Sequence, residues 1–123
     1  MIKGIGIDII EIERIVKAVD KNLLIERFFT EAEAADFCGK QRYAHIAGKY
    51  AAKEAVAKAM GTGFSGFRWK DIEILKDDRG RPYVNLKGKA YRTARERGID
   101  RVYVAISHSR DYAVAQAIAV SYV

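Results

Sequence analysis

Cysteine and proline each occur once in this chain of 123 residues, at Cys38 and Pro82. A lone cysteine excludes an internal disulfide and a multi-cysteine zinc site, and it fits a reducing compartment. A single proline and the absence of low-complexity runs argue against a disordered chain or a linker. No apolar run approaches the roughly 20 residues that a membrane span needs. The opening Met1-Ile2-Lys3-Gly4 has no signal-peptide layout and reads as the start of a strand. The expectation is a soluble, cytoplasmic chain. Hydrophobic residues make up 50% of it, enough to build a core in one domain of this length, so residues 1–123 are expected to form a single domain. Lysine and arginine total 22 against 16 aspartates and glutamates, a net charge of +6. That excess points to an anionic partner: nucleic acid, a phosphorylated cofactor, an acidic protein or an anionic membrane surface. Composition does not choose among them.

Ile2 to Ile10 alternates, with Ile5, Ile7 and Ile9 on one side and Gly4, Gly6 and Asp8 on the other, which predicts a strand. Glycines inside a strand mark close approach of another backbone or a ligand. Ile12, Ile15, Val16 and Val19 fall at helical spacing and predict a helix from Glu11 to about Val19. Thr30-Glu31-Ala32-Glu33 is a capping box opening a short helix, with Phe37 and Cys38 on its apolar side and Gly39 at its end. Arg42 to Met60 is the strongest helical segment, alanine-rich, free of proline and closed by Gly61. Asp71 to Leu75 and Tyr83 to Leu86 read as strands joined by a turn over Lys76 to Gly80. Lys89 to Arg97 reads as a helix stopped by Gly98. Val102 to Ser107 and Tyr112 to Val120 are β-like around a His108-to-Asp111 turn, the second ambiguous because of its alanines. The expected class is α+β, a long alanine-rich helix packed on a mainly antiparallel sheet.

Four constellations bear on chemistry. Asp8 interrupts a run of isoleucine and glycine. It is either a solvent-face residue of an edge strand or a metal-binding or catalytic carboxylate, and a buried carboxylate requires a partner. Glu54 and Lys58, four apart on the long helix, share a face with Tyr43, Ala47, Tyr50 and Ala51 on or near it. They are either an ordinary surface ion pair or part of a site, the latter suggested by the alanines and tyrosines around Glu54. Gly61-Thr62-Gly63 is a helix stop or a backbone that a ligand approaches closely. It is no P-loop, since the G-x-x-x-x-G-K-[ST] order is absent, and Gly4-x-Gly6 lacks the third glycine of a dinucleotide fingerprint. Ser107-His108-Ser109 has no G-x-S-x-G elbow, which argues against a serine hydrolase. It is a capped turn or a phosphate-holding one. Lys40, Arg42, Lys49 and Lys53, with Lys58, read as a solvated helix face. With Tyr43, Tyr50, Phe64, Phe67 and Trp69 nearby, they also resemble a single-stranded nucleic-acid binder, although most of these aromatics suit a core.

The order of these blocks resembles one family. Gly4-Ile5-Gly6-Ile7-Asp8-Ile9-Ile10-Glu11-Ile12-Glu13-Arg14-Ile15 is similar to the N-terminal motif of the holo-acyl carrier protein synthases. Phe29-Thr30, Glu33 and Phe37-Cys38 resemble their second block. The run from Lys49 through Lys53-Glu54 and Lys58 to Gly63 resembles the signature of the wider 4′-phosphopantetheinyl transferase group. Asp71-Ile72-Glu73-Ile74, Asp77 through Gly80 to Pro82, and Ile106-Ser107-His108-Ser109 complete the order over essentially the whole chain.

The resemblance implies transfer of the 4′-phosphopantetheine arm of coenzyme A to a serine hydroxyl of apo-acyl carrier protein. Adenosine 3′,5′-bisphosphate is released, in support of fatty acid biosynthesis and lipid metabolism. It implies Mg2+ held by Asp8 and Glu54, consistent with that ion's use of one or two carboxylates plus phosphates and water. Catalytic roles would fall to Glu54, Lys58 and Asp8. Lys58 would reach the pyrophosphate, and Glu54, directly or through a water near Asp8, would take the serine proton, with Lys58 as the alternative base. Lys49, Lys58, Gly61, Thr62, Pro82, His108 and Ser109 would contact coenzyme A, with Lys49 and His108 near phosphates and Pro82 near the adenine. The acidic carrier protein would dock on Arg14 and near Arg27, with Lys17 and Lys21 as helpers. The family's small members are homotrimers with active sites at subunit junctions. Lys49 and Tyr50 stand where arginine and phenylalanine are usual, and Ala105 where serine or threonine is common. Lysine lacks arginine's bidentate fork, so a phosphate contact there should be weaker or different. A nucleic-acid module would leave Asp8, Glu54 and Lys58 unexplained, and a non-catalytic trimeric scaffold would not bind coenzyme A.

Overall fold

A computed structural model of the chain describes residues 1–21 and 23–122. Strand β1 spans Ile2–Glu11 and runs directly into helix α1, Ile12–Lys21. Two short helices follow, α2 at Leu24–Phe28 and α3 at Glu31–Ala34, and then the long helix α4 at Arg42–Met60. A 3-10 turn at Trp69–Asp71 leads into β2 (Ile72–Lys76) and β3 (Pro82–Leu86). Helix α5 (Gly88–Glu96) and strands β4 (Arg101–His108) and β5 (Tyr112–Val120) complete the order. Among the described residues, no helix is long and apolar enough to cross a membrane.

Helix α4 is the spine. Ala44, Ala47, Ala51, Ala52, Ala55, Val56, Ala57 and Met60 are buried, so most of its circumference lies inside the molecule, with Tyr50, Glu54 and Lys58 on the open side. Alanines let other elements come close. An antiparallel sheet in the order β1-β5-β4 lies against it and presents Ala113, Ala115, Ala117 and Ala119, all buried. The glycines of β1 complete this contact. A Cβ at Gly4 would overlap the carbonyl oxygen of Ala59. A Cβ at Gly6 would overlap that of Ala55 and lie 2.8 Å from the Ala59 nitrogen. Close approach of another backbone, one of two reasons for glycine in a strand, is the one found here.

The consequence for β1 is an inverted burial pattern. Gly4, Gly6 and Asp8 face α4, while Ile5, Ile7 and Ile9 point away and are 59–64% exposed. The antiparallel pair β2-β3 forms a second sheet, with Ile72 and Ile74 buried.

Several boundaries differ from expectation. Strand β1 continues through Glu11, so α1 begins at Ile12. The capping box at Thr30 and Glu33 is present, but α3 ends at Ala34, before Phe37; Phe37 is buried and Cys38 exposed. The alanine-rich C-terminal segment is a strand, because its alanines alternate toward α4. Lys49 and Lys53 do not belong to a solvated helix face. Lys53 is fully buried and donates to Glu33 Oε1 (2.9 Å) and to the carbonyls of Trp69 (2.9 Å) and Ile72 (2.7 Å). Glu33, equally buried, also accepts from the Thr30 and Ile74 amides. A buried charge is tolerable only when paired and hydrogen-bonded in this way.

Candidate active site

Two clusters gather residues singled out by sequence, one with Asp8, Glu54 and Lys58 and one with Lys49, Pro82 and His108. The first lies where β1 crosses α4. The glycine contact brings Asp8 against the helix face carrying Tyr50, Glu54 and Lys58, spaced four apart. Lys58 does not pair with Glu54 as an ordinary i,i+4 pair would. Its ammonium donates to the Ile7 carbonyl (3.0 Å) and to Asp8 Oδ1 (3.3 Å). Asp8 is half-buried on the helix-facing side of β1, which removes the solvent-face reading. Glu54 is also half-buried, and among the described residues nothing hydrogen-bonds its carboxylate. Burial and the neighbouring Asp8 charge raise its pKa above the ordinary value, against a smaller lowering by Lys58. Burial also raises the Tyr50 hydroxyl, with the charges of Glu54 and Asp8 adding and Arg14 opposing. Arg14 of α1 is therefore within electrostatic reach of the same centre.

Two half-buried carboxylates, one of them paired with a lysine, are an incomplete cation site. No group of three or more histidine, cysteine, aspartate or glutamate side chains suited to a metal occurs among the described residues. The donor set still fits magnesium, which takes oxygen ligands and completes its octahedron with waters and substrate phosphates. A cation there would relieve the Asp8–Glu54 repulsion and give Glu54 its missing partner.

The second cluster is a cavity of about 210 Å³ on another side of α4. It gathers Lys49, Pro82 and His108, and adds Asp36, His45 and Lys76, which the sequence reading missed. No motif links these three, which come from the segment after α3, from α4 and from β2. Lys49 is buried and already engaged, donating to the Glu33 carbonyl (2.8 Å) and to Asp36 Oδ1 (3.1 Å). Lys49 and Glu54 are five residues apart, about 140° around a helix at 100° per residue. The two clusters therefore face different directions.

The remaining residues lie at the edges. Gly61 sits at φ 78° and ends α4 as a left-handed cap, its amide donating to Lys58 O (3.0 Å). Thr62 donates its hydroxyl to Gly63 O (2.7 Å). The Arg97 guanidinium lies against Gly61, 3.3 Å from where a Cβ would stand. Ser109 is spent on its own turn, exchanging hydrogen bonds with Tyr112, while His108 at the end of β4 is exposed. Arg14, Lys17 and Lys21 are exposed on α1 and Arg27 on α2, and none makes an ion pair within the described residues. The aromatics do not form an open stacking platform. Phe64 and Trp69 stack at 4.0 Å, and Tyr50 and Phe28 close on the same indole at 4.9 and 4.8 Å.

Comparison with known proteins places the chain in a family. Residues 4–117 match the family described as the 4′-phosphopantetheinyl transferase superfamily. The holo-[acyl-carrier-protein] synthase of Alkaliphilus metalliredigens is 55% identical over 121 residues, 97% of this chain and 99% of that one. The crystal structure of the Neisseria meningitidis holo-[acyl-carrier-protein] synthase superposes with a TM-score of 0.90 at 33% identity, covering 98% of this chain and 100% of that one. The Bacillus anthracis holo-(acyl-carrier-protein) synthase, in complex with CoA (3′,5′-ADP), gives 0.81 at 42% identity over 98% of both chains. With matches that run nearly end to end in both sequence and fold, the chain belongs to the 4′-phosphopantetheinyl transferase superfamily.

Proposed function

We propose that this chain is a magnesium-dependent holo-acyl carrier protein synthase. It moves 4′-phosphopantetheine from coenzyme A to a serine hydroxyl of apo-acyl carrier protein and releases adenosine 3′,5′-bisphosphate. The observation that carries the proposal is Glu54, a half-buried carboxylate without a hydrogen-bond partner, held beside Asp8 with Lys58 one helical turn on. Full-length similarity to named holo-[acyl-carrier-protein] synthases supports it.

Asp8 and Glu54 would hold magnesium, which would supply neutralisation of charge at the phosphates. The chain's own groups do the rest. Lys58 adds a mobile point charge toward the pyrophosphate; its present contacts with Asp8 and the Ile7 carbonyl are solvent-accessible and exchangeable. The serine oxygen bonds to the phosphorus next to pantetheine, the anhydride bond to the adenosine side breaks, and the serine proton goes to a base. Glu54, whose carboxylate accepts no hydrogen bond among the described residues, is placed to act as that base, directly or through a water, with Lys58 as the alternative. Lys49, Pro82 and His108 hold the nucleotide end, while Gly61, Thr62 and Ser109, outside that cavity, contact coenzyme A elsewhere. Arg14 and Arg27, aided by Lys17 and Lys21, receive the acidic carrier protein.

Residues 1–123 act as one domain and assemble as a homotrimer. Two features support assembly. The nucleotide-binding and carboxylate clusters face different directions, so a second copy can complete each site. The outer face of the sheet is largely apolar, with Ile5 and Ile9 opposite Ile118 and Val114 on β5 and Ile7 opposite the exposed Gln116. The proposed setting is cytoplasmic fatty acid biosynthesis.

Intact-mass measurement of an apo carrier protein after incubation with the chain, coenzyme A and magnesium tests the proposal. A phosphopantetheine mass addition is expected. An unmodified carrier with folded enzyme present overturns it, and steep salt-dependent affinity for single-stranded DNA would then favour a nucleic-acid module.

A further inference from the structure

The cavity beside α4 contains an anion of its own. Asp36 lies between two lysines: Lys49 Nζ is 3.1 Å from Oδ1, and Lys76 Nζ is 2.8 Å from Oδ2. The two contacts are not equivalent. Lys49 is buried whereas Lys76 is partly exposed, and the buried Oδ2 has Lys76 as its close partner. His45 Nδ1 lies 3.1 Å from the Asp36 carbonyl, and His45, Lys49, Lys76 and His108 line the same cavity. The site thus offers two ammonium groups and two imidazoles, with one carboxylate already occupying the ammonium groups.

We infer that Asp36 is an internal competitor for the substrate's ribose phosphate, sharing Lys49 and Lys76 with it and so limiting how tightly the nucleotide is held. The inference rests on the proposed function, which places coenzyme A's nucleotide end in this cavity, and adds a role for Asp36 and Lys76. A phosphate monoester carries close to two negative charges at neutral pH and three acceptor oxygens, against one charge and two oxygens on a carboxylate. It displaces Asp36 from the lysines, whereas a nucleotide without that phosphate leaves the Asp36 pairs intact. Burial opposes ionisation of Asp36, but Lys76 and Lys49 outweigh it and hold the carboxyl below its ordinary value, so the competitor is charged across the neutral range. The released adenosine 3′,5′-bisphosphate keeps the phosphate through which it is held. A resident carboxylate that recaptures the lysines therefore favours its departure. The cost is affinity for coenzyme A, which carries the same phosphate.

The test is calorimetric binding to the full chain with magnesium, using adenosine 3′,5′-bisphosphate and, as the control without the ribose phosphate, adenosine 5′-monophosphate. Asp36→Asn preserves shape and removes the charge. It should bind the bisphosphate about three- to tenfold more tightly, the size expected from removing one competing charge at a partly exposed site. Its affinity for the monophosphate should change less than about twofold. Lys76→Gln should weaken the bisphosphate about threefold or more and leave the monophosphate unchanged. Weaker or equal bisphosphate binding by a folded Asp36→Asn overturns the competitor role. If that variant does not fold, Lys76→Gln decides, and unchanged bisphosphate affinity overturns the inference. Failure of the unsubstituted chain to bind the bisphosphate at all contradicts the functional reading beneath it.

Discussion

Asp8 and Glu54 carry the same charge, yet the chain treats them differently. Asp8 has Lys58 as a partner; Glu54 is left with burial and repulsion. Glu73 shows the opposite design. Burial opposes its ionisation, but hydrogen bonds from Thr30 (2.6 Å) and Asn85 (2.9 Å), with Lys87 and Lys53 nearby, hold it below its ordinary value of 4.5. A depressed carboxylate adds stability above its unfolded pKa and loses it as pH falls through the folded one. Stability should therefore fall on acidification below about pH 4.5, and Glu73→Gln should flatten that slope in chemical denaturation followed across pH. An unaltered slope would mean that Glu73 does not carry it. Arg14, exposed and electrostatically close to Tyr50, belongs to the docking account. Arg14→Glu should raise the apparent KM for carrier protein about tenfold and for coenzyme A much less, in steady-state kinetics at low salt. Equal changes in both would remove Arg14 from the docking surface.

At the scale of elements, the site depends on how close β1 lies to α4. Gly6→Ala inserts a methyl group into the Ala55 carbonyl and the backbone at Ala59. The strand must move, at a cost of about 1–3 kcal/mol or more, and Asp8 moves with it. Urea denaturation should show the loss, and transfer activity should fall beyond what the folded fraction explains. A second tie is the Lys53–Glu33 pair, which joins α4 to α3 and β2. Lys53→Met leaves Glu33 buried and uncompensated and should cost about 3–5 kcal/mol. Neutral stability would show that the pair is dispensable. Much of this level was legible in the sequence. Arg42–Met60 was bounded by its alanines and Gly61, and Asp8, Glu54 and Lys58 stood out by type and spacing. The five-residue α2 and the three-residue turn at Trp69–Asp71 are too short to show a period. The burial of Lys49 and Lys53 was hidden because their partner, Glu33, arrives from another element, and a charged helix position carries no mark of what packs on it.

For the whole molecule, the alternation in β1 announced a strand without saying which side faces inward. Isoleucines turned outward make sense if copies of the chain cover them, as large exposed apolar patches mark interaction sites. The assembled protein should sediment at about three times the 13.8 kDa chain mass, and Ile7→Glu should reduce it to the monomer with loss of transfer; a fully active monomer would contradict a shared site. On the proposed function, the net charge of +6 divides between a nucleotide beside Lys49 and Lys76 and a carrier protein at α1 and α2. The central claim is that Glu54 beside Asp8 is where transfer is carried out, and it is tested most directly by the rate at which Glu54→Gln modifies apo carrier protein, followed by intact mass with coenzyme A and magnesium. The account predicts a variant that folds like the unsubstituted chain and transfers at least about a hundredfold more slowly; near-full activity would contradict it.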